Sequence, residues 1–182
     1  MTAPRDIRNL ALVGFMGVGK STVGRILAEQ LRFDFLDTDE RIEREAGKSV
    51  RQIFAEHGEP VFRGMERRLV QSLADRNRLI ISTGGGLIVN PENLADLRQH
   101  AMVVCLWASP ETIYERVRYQ SHRPLLQAPD PLAKIRELLA QRESAYRQAD
   151  VLVGVERRNA REIAQHIVHQ FNAMKRPSPE PA

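Results

Sequence analysis

Gly14-Phe15-Met16-Gly17-Val18-Gly19-Lys20-Ser21-Thr22 decides the architecture of this chain. It follows the apolar run Leu10–Val13 and opens a helix-like segment, Val23–Leu31. Strand, glycine-rich turn and helix are the setting in which the G-x-x-x-x-G-K-[ST] pattern binds phosphate. The glycines let the backbone wrap closely and turn its N–H groups inward. The helix start adds its positive dipole end and further unpaired N–H groups. Lys20 is suited to neutralise β- and γ-phosphates, and the Ser21 hydroxyl to ligate Mg²⁺. Gly14, Gly17, Val18, Gly19, Lys20, Ser21 and Thr22 are therefore the expected ATP contacts.

Working outward, apolar β-branched runs alternate with helical patterns. Strands are expected at Leu10–Gly14, Phe33–Asp37, Leu79–Thr83, Met102–Ala108 and Val151–Val153. Helices are expected at Lys20–Leu31, Asp39–Ala46, Val50–His57, Pro60–Asp75, Pro91–Gln99, Pro110–Arg118, Pro131–Ala149 and Ala160–Met174. Four of these begin at or near proline, a favoured first-turn residue. The alternation predicts an α/β fold of three layers, with five parallel strands between helices. Ligands then bind beyond the carboxyl ends of the strands.

Composition fits one such domain over residues 1–175: 182 residues, 42% hydrophobic, enough for a proper core. No run of 18 apolar residues predicts a membrane span, and the short polar start Met1–Asn9 has no secretory apolar region. The single cysteine, Cys105, lies in the apolar run Met102–Trp107 and reads as core filler, which suits a reducing cytoplasm. The tail Arg176–Ala182, with three prolines, is expected to be disordered. A net charge of +4 raises the question of nucleic acid, but the basic residues are interleaved with acidic ones and few aromatics are available for stacking. A small anionic substrate accounts for the surplus equally well, and no nucleic acid or membrane partner is expected.

Four further features lie at the expected strand ends or on the helices that follow. Asp37 and Asp39 flank Thr38 after the second strand; two apart on an extended chain, both carboxylates would face the site. They read either as an Mg²⁺-orienting and proton-accepting pair or as a helix cap. Arg142 interrupts the apolar stripe Ile135, Leu138, Leu139, Ala145 and Tyr146, and Arg63 sits beside a stripe carrying Glu66. A guanidinium on an apolar face needs an anion, which is either an internal carboxylate such as Glu66 or a substrate's. Gly84-Gly85-Gly86 follows the third strand and reads either as a backbone that a ligand can approach or as a plain flexible turn. Gln120–Asp130 is proline-bearing, and there Arg123 reads as a lid residue or as ordinary surface.

In combination these segments resemble the shikimate kinase family. GFMGVGKST, DTD at 37–39, FRGME at 62–66, TGGG at 83–86, RPLL at 123–126 and R-x-x-x-Y-R at 142–147 occur in that family's order and approximate spacing. The resemblance spans about residues 9–171. It implies a P-loop kinase fold with a helical substrate-binding region at about 38–76 and a lid at about 119–131. It implies a cytoplasmic monomer that phosphorylates the 3-hydroxyl of shikimate from Mg·ATP. Catalytic roles would fall to Asp39, Lys20 and Arg123, and Mg²⁺ ligation to Ser21 and Asp37. Arg63, Arg142, Asp39 and Gly84–Gly86 would bind shikimate, with Phe54 and Phe62 as pocket walls. Arg116, Arg123 and Arg158 would join the phosphate loop in binding ATP; Ala160 stands where the family often has proline. The alternatives are another small-metabolite kinase, such as a gluconate kinase, a nucleotide-binding sensor and, more weakly, a nucleic-acid binder.

Overall fold

Five parallel strands in the order β2-β3-β1-β4-β5 form the centre of the molecule: β1 (Asn9–Val13), β2 (Asp34–Asp37), β3 (Leu79–Ser82), β4 (Ala101–Trp107) and β5 (Val151–Gly154). The computed structural model describes residues 5–119 and 129–175. β1 and β3 are buried along their whole length, as is β4 but for Trp107, because helices cover both faces of a parallel sheet. The edge strands β2 and β5 are more exposed. Asn9, the polar residue of β1, is buried but satisfied. Its amide nitrogen donates to the Arg76 carbonyl at 2.6 Å, and its oxygen accepts from the Leu79 N–H at 3.0 Å. That pairing anchors the start of β1 to the entry of β3.

Among the described residues, seven helices connect or flank the strands: α1 (Lys20–Leu31), α2 (Thr38–Ala46), α3 (Val50–Ser72), α4 (Pro91–His100), α5 (Pro110–Val117), α6 (Pro131–Tyr146) and α7 (Ala160–Lys175). The chain steps from β1 to one side and from β3 across to the other. Right-handed crossovers therefore put α1 and α4 on opposite faces. α1 packs against α7, and α4 against β4 and α3. The reversal at β1 opens a crevice beyond the strand ends, where the phosphate loop leaves.

The five strands and most helices lie where the sequence pattern puts them. Two differences have local causes. Val50–His57 and Pro60–Asp75 merge into α3, yet the backbone breaks at Gly58 (φ 79, ψ 169), so Pro60 sits at the start of the second half, where its missing N–H costs nothing. α2 begins at Thr38, one residue earlier than expected, because the Asp37 side chain caps it. A short 3-10 turn at Leu87–Val89, which the pattern does not predict, carries the chain from the glycine segment towards α4. The expected lid falls largely, and the expected disordered tail wholly, outside the described residues.

Candidate active site

The phosphate loop joins β1 to α1. Gly14 has φ 129, and a Cβ there would lie 2.3 Å from the Leu106 carbonyl oxygen, so only glycine lets the loop leave β1 this close to β4. Gly19, at φ 97, precedes α1 and offers no side-chain cap, whereas side chains cap each of α2 to α6. Gly19 thus brings no capping side chain to the start of α1, an arrangement suited to phosphate. Lys20 is buried, and its Nζ donates to the Gly14 and Phe15 carbonyls at 2.8 Å each. A cavity of about 360 Å³ opens beside it, bordered by Gly17, Gly19, Lys20, Ser21 and Thr22. Asp37, Asp39, Gly84, Gly85 and Arg116 close its other sides. Val18 is buried beneath the loop.

The two aspartates reach this cavity by a different route from the expected one. They are not alternate residues of one strand: Asp37 ends β2, and Asp39 lies in the first turn of α2. Asp37 is the helix cap that its sequence left open, and it also accepts from two hydroxyls. Its Oδ1 accepts from the Asp39 and Glu40 N–H groups as a helix cap. Its Oδ2 accepts from the Ser21 hydroxyl at 2.8 Å and the Ser82 hydroxyl at 3.0 Å. Ser21 and Asp37 so form a hydroxyl–carboxylate oxygen pair at the cavity edge, the donor chemistry that Mg²⁺ takes alongside phosphate oxygens. Among the described residues no cluster of three or more His, Cys, Asp or Glu side chains is arranged to hold a metal.

Asp39 has no such satisfaction. Its Oδ1 is buried with no hydrogen-bond partner. Burial, with the Asp37 carboxylate next, pushes its carboxyl from 3.8 up to about 6 against the pull of Lys20. Glu66, on α3, is also buried, and its Oε1 is likewise unpartnered. Both oxygens face Gly84: a Cβ there would lie 2.5 Å from Asp39 Oδ1 and 3.2 Å from Glu66 Oε1. The missing side chain keeps both carboxyls in place.

The two off-pattern arginines converge on the same glycine segment. Arg63, from α3, lies against Gly86, where a Cβ would meet its Nη2 at 2.8 Å. Arg142, from α6, donates through Nη1 to the Gly85 carbonyl at 3.3 Å and lies over the Phe15 ring at 5.5 Å. Arg63 also has internal partners: Nη1 to Glu66 Oε2 at 2.7 Å, and Nη2 to Glu59 Oε1 at 2.7 Å. An internal carboxylate therefore does hold Arg63, and it also aims the guanidinium at the glycines. Phe54 and Phe62 stack at 4.9 Å, with Arg63 over the Phe62 ring at 5.6 Å.

The remaining expected contacts divide. Arg116 borders the phosphate cavity while donating to the Val155 carbonyl at 3.0 Å. Arg158 lines a separate hollow of about 510 Å³ next to β5, together with Trp107 and His166. Asn159 caps α7, accepting from the Arg161 and Glu162 N–H groups, so Ala160 opens the helix where proline would also fit. Arg123 lies outside the described residues. Sequence reasoning missed Thr38, whose buried hydroxyl accepts the Gly84 N–H at 2.8 Å, and Tyr146 as a donor to Gly85. Thr38 carried a signal in its position between the aspartates; Tyr146 looked like core.

Comparison with known proteins gives a consistent result. A family model described as "Shikimate kinase" matches residues 16–172. A shikimate kinase from Caldanaerobacter subterraneus subsp. tengcongensis is 40% identical over 169 residues, which cover 93% of this chain and 99% of the relative. The structure of a shikimate kinase from Acinetobacter baumannii in complex with shikimate superposes with a TM-score of 0.87 at 39% identity, covering 93% of this chain and 95% of that one. A gluconokinase from Sinorhizobium meliloti matches with a TM-score of 0.60 at 19% identity, which reflects the shared fold alone.

Proposed function

The chain belongs to the shikimate kinase family, and we propose that it transfers the γ-phosphoryl group of ATP to the 3-hydroxyl of shikimate. One observation carries the reading at the level of residues. Guanidinium groups from two separate helices meet the glycine segment beside a carboxylate with one buried, unpartnered oxygen, at the edge of the phosphate-loop cavity. An acid bearing several hydroxyls satisfies all of them: its carboxylate takes Arg63 and Arg142, and a hydroxyl donates to Asp39.

In this mechanism the nucleotide's β- and γ-phosphates lie on the backbone N–H groups of Gly17, Gly19 and the start of α1, and Lys20 neutralises them. Ser21 and Asp37 would hold Mg²⁺, which when bound neutralises phosphate charge. Arg116 and Arg158 would add ATP contacts, and the family resemblance implies a further one from Arg123. The 3-hydroxyl oxygen forms the new bond to the γ-phosphorus as the bond to the bridging oxygen breaks, releasing ADP. The hydroxyl proton passes to Asp39, whose raised pKa of about 6 is suited to accepting it near neutrality. Positioning and charge neutralisation carry most of the rate, so Asp39 mainly orients the hydroxyl.

The test is a coupled ADP-release assay with Mg·ATP and either shikimate or gluconate. Release that depends on shikimate and not on gluconate is expected. Arg63→Ala and Arg142→Ala should each raise the shikimate KM by about 10²-fold, leaving the ATP KM within about twofold. Absence of shikimate-dependent release from the unsubstituted chain, or a larger response to gluconate, refutes the assignment.

A further inference from the structure

The Gly85 carbonyl oxygen has two donors one helical turn apart on α6. The Tyr146 hydroxyl donates at 2.6 Å and Arg142 Nη1 at 3.3 Å. Tyr146 is fully buried, and the Trp107 ring meets its ring edge-on at 6.4 Å. Gly85 also packs against the phosphate loop, where its Cβ would lie 3.3 Å from the Met16 nitrogen. Its carbonyl is thus a junction between the two halves of the site. Gly85 is half-buried and lines the cavity, so an acceptor seated there shuts its carbonyl off from water, and a carbonyl so enclosed is costly without a donor. If Arg142 were its sole donor, each transfer of the guanidinium to a ligand would orphan that oxygen, and the clamp would work against the fold.

We propose that Tyr146 is a positioning residue: its hydroxyl satisfies the Gly85 carbonyl and so releases the Arg142 guanidinium to grip the carboxylate of the acceptor. The inference rests on the reading of shikimate as that acceptor. The distances carry it. The short bond belongs to the neutral phenol and the long one to the guanidinium, the opposite of what charge alone favours. Arg142 has a second resting surface in the Phe15 ring, so it needs no strong bond to stay near the site. Burial pushes the Tyr146 phenol up to about 12, so it keeps its proton and remains a donor throughout the working pH range.

Tyr146→Phe tests this, because it keeps the ring against Trp107 and removes only the donor. The shikimate KM is expected to rise about tenfold, while kcat and the ATP KM stay within about twofold. Fluorescence of Trp107, the chain's single tryptophan, reports retained packing. In an Arg142→Ala background, the same substitution should leave the shikimate KM within about twofold, since there is no longer a guanidinium to capture. An unchanged shikimate KM, an equal rise in the ATP KM, or the same tenfold rise without Arg142 overturns the proposal. So does a Tyr146→Phe chain that cannot be recovered folded, since the hydroxyl then serves the fold and not the ligand. The parent chain is assayed alongside. If it turns over shikimate and Tyr146→Phe is indifferent, the positioning role alone falls; if it does not, the acceptor assignment falls and takes this role with it.

Discussion

Asp39→Asn should stabilise the folded protein while abolishing most of its activity. Asp39 is half-buried beside Asp37 with one buried oxygen unpartnered, and its carboxyl is pushed from 3.8 to about 6. A raised carboxyl pKa means that the folded state resists ionisation. Below about pH 4 the group is protonated in both states and costs nothing. As pH rises the unfolded chain ionises first, so the penalty grows and is complete above about pH 6. The rise from 3.8 to about 6, at about 1.4 kcal/mol per unit, amounts to about 3 kcal/mol at pH 8. For a chain of this length that corresponds to about 6–12 °C in Tm. Thermal unfolding of parent and Asp39→Asn chains at pH 8, 6 and 4 measures it. The variant should melt higher at pH 8, with the gap closing towards pH 4, while kcat falls by about 10²–10⁴. A variant no more stable than the parent at pH 8, or a gap indifferent to pH, refutes the view of Asp39 as a carboxylate held at the fold's expense.

The other glycines and a buried histidine give sharper local tests. Gly14→Ala sets a Cβ 2.3 Å from a backbone oxygen at positive φ, so a loss of at least about 3 kcal/mol in urea unfolding, or no folded protein, is expected. Gly86→Ala meets only the movable end of Arg63; Tm should change by less than about 3 °C while the shikimate KM rises about tenfold, read by differential scanning fluorimetry and initial rates. Burial, helped by Arg8, holds the His100 imidazole below its usual 6.5. The unfolded chain therefore protonates first as pH falls, and stability is lost on acidification below about 6.5. His100→Gln should flatten that acid-side decline in urea midpoints between pH 7.5 and 5.5.

The sheet was legible because β1, β3 and β4 are apolar but for Asn9 and Ser82 at their ends, and the phosphate loop marks which end carries ligands. The arginines were visible as breaks in helical stripes, but their targets were not. Arg63 proves to pair with Glu59 and Glu66 and still to reach Gly86, two roles that a stripe cannot separate. The spacing of the aspartates suits alternate strand residues, yet the helix begins between them; an aspartate that ends a strand and caps the next helix looks the same in sequence as one that continues the strand. Tyr146 was hidden because its ring fills the core while only its oxygen matters to Gly85. Arg158 borders a different hollow from the phosphate loop, a separation set by the path of the chain after β5 and not by any local pattern.

Leu12 pairs with Ser82, and the Thr83 N–H closes on the Leu12 carbonyl at 3.0 Å, so the nucleotide turn and the glycine triplet spring from adjacent strands in fixed alignment. The groups proposed to grip the acceptor hang instead on α2, α3 and α6, around the rim. On the proposed reading, donor chemistry is built into the keel of the molecule and acceptor preference is rigged above it. Evolution can thus exchange the cargo by altering a few helical side chains, with the phosphate cradle and its distance from the reaction point left untouched.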